Sequence, residues 1–157
     1  MFYAHSLENR GPEFWETLVD HLEAAAAAAR RLGVEIGIGA ICEIAARLHD
    51  LGKFDPGFQR YLAGAKERVP HSIAGAAAIM DCGGTREEKA VAILIAQAIA
   101  GHHAGLPDRT GSDAASLAER KGAFDFTSLS GPWQDFVPEN LDGLGMTFAG
   151  SGSKREE

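Results

Sequence analysis

Apolar positions along this chain recur every three or four residues between punctuating glycines and prolines, which is the pattern of a succession of helices. The first is expected from Pro12, suited to an opening turn, through Phe14, Leu18, Val19, Leu22 and the alanines Ala24 to Ala29. It ends at Leu32, where Gly33 stops it. The alanine run supplies helix propensity and close packing, not chemistry. A second helix is expected from Gly39 to Leu51, ending at Gly52. Asp55-Pro56 reads as a cap and a first-turn proline, opening a short helix through Phe58, Tyr61 and Leu62 to Gly64. Another opens at His71 and runs through Ile73, Ala76, Ala77 and Met80 to Gly83. Thr85 to Glu88 fit a capping box, and the helix that follows carries Val91, Ile93, Leu94, Ile95 and Ala98, apolar on most sides, to its end near Gly101. A last short helix is expected over Ser112 to Lys121. No stretch alternates convincingly as a strand, so the expected fold class is all-α.

From Gly122 the pattern changes to glycines, prolines and polar residues, with short apolar clusters around Trp133–Phe136 and Leu144–Phe148 and a flexible tail, GSGSKREE. The chain is therefore read as a helical domain over 1–121 and an irregular segment over 122–157. A total of 157 residues with 45% hydrophobic and 24% charged positions suits one globular domain. No apolar run approaches the roughly 18 residues of a spanning helix, and MFYAHSLENRG lacks a secretory pattern. No membrane role and a cytoplasmic location are expected. Cys42 and Cys82 lie in apolar helical patterns and are read as buried thiols. The formal charge of −7 argues against a broad basic nucleic-acid face. Arg30, Arg31, Arg47, Arg60, Lys66 and Arg68 are read mainly as solvated helix faces, and Phe54, Phe58 and Tyr61 as packing residues in preference to base-stacking ones.

One stretch resists that bland picture. LHDLGKF, Leu48 to Phe54, sets a histidine and an aspartate inside an apolar run, where an unpaired polar group costs roughly 1–7 kcal/mol and a metal ion would compensate. His21 lies in the first helix, His49-Asp50 at the end of the second, His71 at the start of the fourth and His102-His103 past the end of the fifth. Singly, each histidine is weak evidence; together they place five imidazoles and one carboxylate where helices begin, end or face the core. Neighbours on a helix project about 100° apart, so the two adjacent pairs suggest two ions. Asp50 has two oxygens to bridge ions about 3.5–4 Å apart, the spacing used in two-metal phosphodiester hydrolysis. Imidazole with carboxylate suits iron, manganese, cobalt, nickel or zinc, and the lack of thiolate argues against a structural zinc site. The chemistry indicated is phosphoester hydrolysis. Lys53 is read either as a cation set against the phosphate or as a solvated lysine at a helix C-terminus.

These segments, YAHS, FWETLVDHL, LHDLGKFDPGFQRYL, HSIAGA and IAGHHAGLPD, in this order from Tyr3 to Asp108, resemble the HD-superfamily nuclease domain of the CRISPR-associated type I helicase-nuclease, the Cas-three family. The resemblance implies a single helical domain with a metal site between helices. It implies degradation of single-stranded DNA at a centre of one or two divalent ions. It also implies a superfamily-two helicase domain or subunit as partner, with recruitment by a guide-RNA surveillance complex. Carried over by position, His21, His49, Asp50, His71, His102 and His103 match ligands, Asp50 matches the bridging carboxylate, and Lys53 matches a lysine near the scissile phosphate.

The family usually adds a late aspartate. Asp113, Asp125, Asp135 and Asp142 follow Asp108 without the matching context, so the chain is read as a shortened form lacking that ligand. A phosphate loop, G-x-x-x-x-G-K-[ST], is also absent, so unwinding must come from a partner. Two alternatives stand beside the nuclease: a generic HD phosphohydrolase of nucleotides, and a non-catalytic docking domain.

Overall fold

A computed structural model describes residues 1–103, 105–110 and 116–144. Among the described residues six α-helices carry the fold: α1 (Leu18–Val34), α2 (Gly39–Leu48), α3 (Pro56–Leu62), α4 (Ser72–Met80), α5 (Arg86–Gly101) and α6 (Leu117–Gly122). α4 is the central element. Ile73 through Ile79 are all buried, as a helix made of alanine, glycine and isoleucine permits, and α5 packs on it through Val91, Ala92, Ile95 and Ile99. Leu18 and Leu22 of α1, together with Leu48, Leu51 and Phe54, close the same core. The capping box at the head of α5 is formed as expected, with the Thr85 hydroxyl accepting from Glu88 N and the Glu88 carboxylate accepting from Thr85 N.

The first helix starts later than its apolar spacing suggests. Pro12–Phe14 make a separate 3-10 turn, Glu16–Thr17 are extended, and α1 begins at Leu18 because the Thr17 side chain caps it by accepting from Asp20 N. The extended residues form β2, which pairs antiparallel with β1 (Tyr3–His5), placing Tyr3 opposite Thr17 and His5 opposite Glu16. The expectation of no strand is thus corrected by a small two-stranded sheet. Gln59 of α3 holds its outer edge: its side chain accepts from Tyr3 N and donates to the Tyr3 and Lys53 carbonyl oxygens.

The second helix also stops short, at Leu48. Leu51–Phe54 instead turn as a 3-10 helix, tightened by Lys53 N donating to Asp50 O at 2.9 Å. Ser116 caps α6 at Leu117; the expected start at Ser112 lies outside the described residues, as do Asp113 and the tail. Beyond α6, two further 3-10 turns (Phe126–Ser128 and Trp133–Phe136) bring Leu129, Phe136 and Leu141 onto the main core, and Ser130 N donates to Phe54 O. Among the described residues no helix is long and apolar enough to cross a membrane.

Candidate metal centre

Two glycines bring the histidine-bearing helix ends together. A Cβ on Gly75 of α4 would overlap the Leu48 carbonyl oxygen, and one on Gly52 would overlap the backbone of His71. Only hydrogen fits at either position, so the end of α2 and the start of α4 touch backbone to backbone. Asp50 and His71 are therefore neighbours although far apart in sequence. Neither side chain caps its local turn, so both are free to face the space between the helices. Arg120 of α6 ties the arrangement from behind by donating to Ala100 O of α5 and Ser72 Oγ of α4.

Asp50, 3% exposed, sits at the middle. Its Oδ2 lies 3.3 Å from His21 Nε2, 3.1 Å from His49 Nε2 and 2.8 Å from Lys53 Nζ. Its Oδ1 faces His71 Nε2 at 3.5 Å and His102 Nε2 at 3.6 Å and makes no hydrogen bond. His103 Nε2 approaches His71 Nε2 to 2.9 Å. Two donor groups result, each compact enough to surround one ion and sharing Asp50: His21, His49 and Asp50, and Asp50, His71, His102 and His103. All six ligand positions indicated by the resemblance are thus gathered in one place.

Protonation follows from this crowding. Burial pushes the Asp50 carboxyl up, but His102, His49 and Lys53 pull harder and hold it well below the usual carboxylate range. Burial also opposes charge on His49, yet the Asp50 carboxylate outweighs it and raises that imidazole. His71 is pushed down to about 4 by burial and the nearby positive groups, so it is neutral at physiological pH.

The donor set fits a divalent cation. A buried carboxylate oxygen left without a hydrogen bond is an exception that needs a partner, and here its nearest neighbours are imidazole nitrogens. His49 Nδ1 donates to Ala46 O at 2.7 Å and His102 Nδ1 to Ile99 O at 2.6 Å, which turns each Nε2 inward and leaves it a lone pair to give once the ring is neutral. The His21 and His49 Nε2 atoms are 3.4 Å apart; nitrogens bound to one tetrahedral ion at about 2.0–2.1 Å lie roughly 3.3 Å apart.

Lys53 is not a solvated lysine at a helix end. It is 5% exposed, paired with Asp50, donating to Ala4 O at 3.0 Å and lying over the Phe58 ring. Phe54 packs between Phe2 and Phe136. Arg30 and Arg47 both pair with Glu43, while Arg60, Lys66 and Arg68 are exposed. Among the described residues after Asp108, no carboxylate joins either donor group; Asp125, for example, caps the turn at Thr127. A third group does appear, His5, Glu16 and His21. Sequence reasoning passed over His5 and Glu16, since nothing local ties a residue before a helix cap to a site on the far side of a strand pair. Arg120 was missed for the same reason.

A family model described as Cas3, HD domain, matches residues 4–152, which extends well past Asp108 through the irregular C-terminal segment. No curated protein matches the chain.

Proposed function

The chain belongs to the Cas3 HD-domain family, CRISPR-associated nucleases of the HD superfamily, and from that premise we propose that it hydrolyses phosphodiester bonds of single-stranded DNA with one or two divalent transition-metal ions during type I interference. The observation that carries this reading is the buried, unpartnered Asp50 Oδ1 surrounded by imidazoles whose Nε2 atoms point at it. Iron, manganese, nickel or cobalt suits the donors, with zinc also compatible.

Ions held there supply Lewis acidity toward phosphoryl oxygens and lower the pKa of water into the neutral range. The residues divide the remaining work. Asp50 bridges the two donor groups; His21 and His49 complete one, and His71, His102 and His103 the other. Lys53 holds Asp50 from the buried side and sets a fixed positive charge behind it, which favours the anionic substrate. His102 and His103 are exposed and the other rings partly so, whereas Lys53 is buried, which leaves the strand an approach over the histidines.

Two divalent ions would move the formal charge from −7 to −3 and concentrate the change at the site. Intrinsic affinity for DNA is then weak and salt-sensitive, and a superfamily-two helicase domain or subunit delivers the strand after recruitment by a guide-RNA surveillance complex in the cytoplasm.

The test uses protein stripped of metal and resupplied with manganese, nickel, cobalt or iron, offered circular single-stranded DNA, duplex DNA and nucleoside triphosphates. Cutting of the circle with triphosphates spared supports the proposal. Consumption of triphosphates alone would replace it with a nucleotide phosphohydrolase, and inertness toward all three with a docking domain.

A further inference from the structure

Four histidines, His21, His49, His71 and His102, direct Nε2 at Asp50 from near helix ends, but the ends differ in polarity. His49 and His102 follow the C-termini of α2 and α5, where helix carbonyls lack partners, and each ring is held by its own Nδ1 donating to the carbonyl three residues back, Ala46 O or Ile99 O. His21 lies in the first turn or so of α1, where the unpaired backbone groups are N–H donors. The carbonyl three residues back, Leu18 O, lies inside the helix, where the backbone ladder uses it. The side chain that faces its Nδ1 is Glu16, with Oε2 at 3.3 Å. Glu16 is held by β2, whose strand runs straight into α1 through the Thr17 cap and pairs with β1 so that His5 lies opposite.

We infer that Glu16 is a positioning residue of the metal centre: its carboxylate accepts the Nδ1 proton of His21 and so fixes the ring with Nε2 unprotonated toward Asp50. The two-stranded sheet exists at this point of the fold to deliver that carboxylate. Glu16 acts through His21, as the Ala46 and Ile99 carbonyls act through His49 and His102. An acceptor behind a histidine ligand orients it and raises its basicity, and losing such a group typically weakens metal binding about 10–100-fold.

This inference depends on the metal-centre part of the proposed function, and its readout is binding, not cleavage. Cobalt(II) affinity of the full chain is measured by competition with a chromogenic chelator for wild type, Glu16→Ala and Glu16→Gln. Glu16→Ala is expected to bind cobalt about 10–100-fold more weakly. Glu16→Gln keeps an oxygen that accepts from Nδ1 and is expected to restore most of the affinity. Glu16→Ala binding as wild type does would overturn the inference. So would Glu16→Gln binding as weakly as Glu16→Ala, since the carboxylate would then be a ligand itself. If Glu16→Ala also melts earlier without metal, the Gln variant still decides between these outcomes. Wild type that binds cobalt but spares DNA sinks the nuclease proposal alone; wild type that binds no cobalt sinks both.

Discussion

The two oxygens of Asp50 live in different surroundings. Oδ2 has an ammonium group 2.8 Å away, from Lys53, besides His21 and His49, so the protein alone satisfies it. Oδ1 has only imidazole edges 3.5 and 3.6 Å away and no hydrogen bond. Leaving such a buried acceptor unpaired costs about 1–3 kcal/mol, which a cation on that side would recover. On the Oδ2 side a cation must share an oxygen already held by lysine. The lesson is that the centre is asymmetric: the position among His71, His102 and His103 should fill first and hold harder than the one beside His21 and His49.

The largest expected effect removes the carboxylate that both sides share. Asp50→Asn keeps an oxygen for Lys53 but no bridging charge, and His49→Ala removes a ligand; in both variants cleavage of circular single-stranded DNA should fall to background. Full activity in either would mean that the centre is wrongly placed. Next, calorimetric titration with cobalt should separate the sides. His102→Ala should weaken the first equivalent by at least about a hundredfold, whereas His21→Ala should leave the first intact and weaken the second. The reverse order would invert the asymmetry.

Gly75→Val forces α4 away from Leu48 and should destabilise the chain by about 3 kcal/mol in urea unfolding. Because α4 follows directly on His71, the first cobalt equivalent should suffer more than the second. Lys53→Ala should slow cleavage about tenfold, the lower end for a group behind a ligand, while both equivalents stay bound. Loss of metal in that variant would show that Lys53 organises the site more than it serves the substrate. The smallest effect serves as the control: Thr85→Ala removes the cap of α5 at the end remote from His102, costing about 1 kcal/mol of stability with cobalt affinity unchanged on both sides.

Local signals in the sequence carried far. The Thr85–Glu88 box and the Asp55-Pro56 start involve neighbours a few residues apart, and both formed where expected. The histidines were legible because adjacent pairs at helix ends are hard to explain by packing alone. Three features were hidden. Pro12 suggested one long helix because its period ran on into Leu18, whereas the Thr17 cap overrode that period. The sheet is too short to show alternation, and its partner strands are separated by a turn. Lys53 looked like a solvated lysine at a helix end, yet a carbonyl from Ala4, far away in sequence, and the Asp50 carboxylate together make its burial tolerable.

The Gln59 amide that grips Tyr3 has an effect beyond holding α3 in place. A sheet of two strands offers two raw edges, and unpaired N–H and C=O groups along an edge invite another chain to zip on. At Tyr3 both outward groups are already taken by a side chain that cannot itself be extended, so stray strands find no template there. The β1 edge of the ribbon that carries Glu16 is thereby denied to a second molecule.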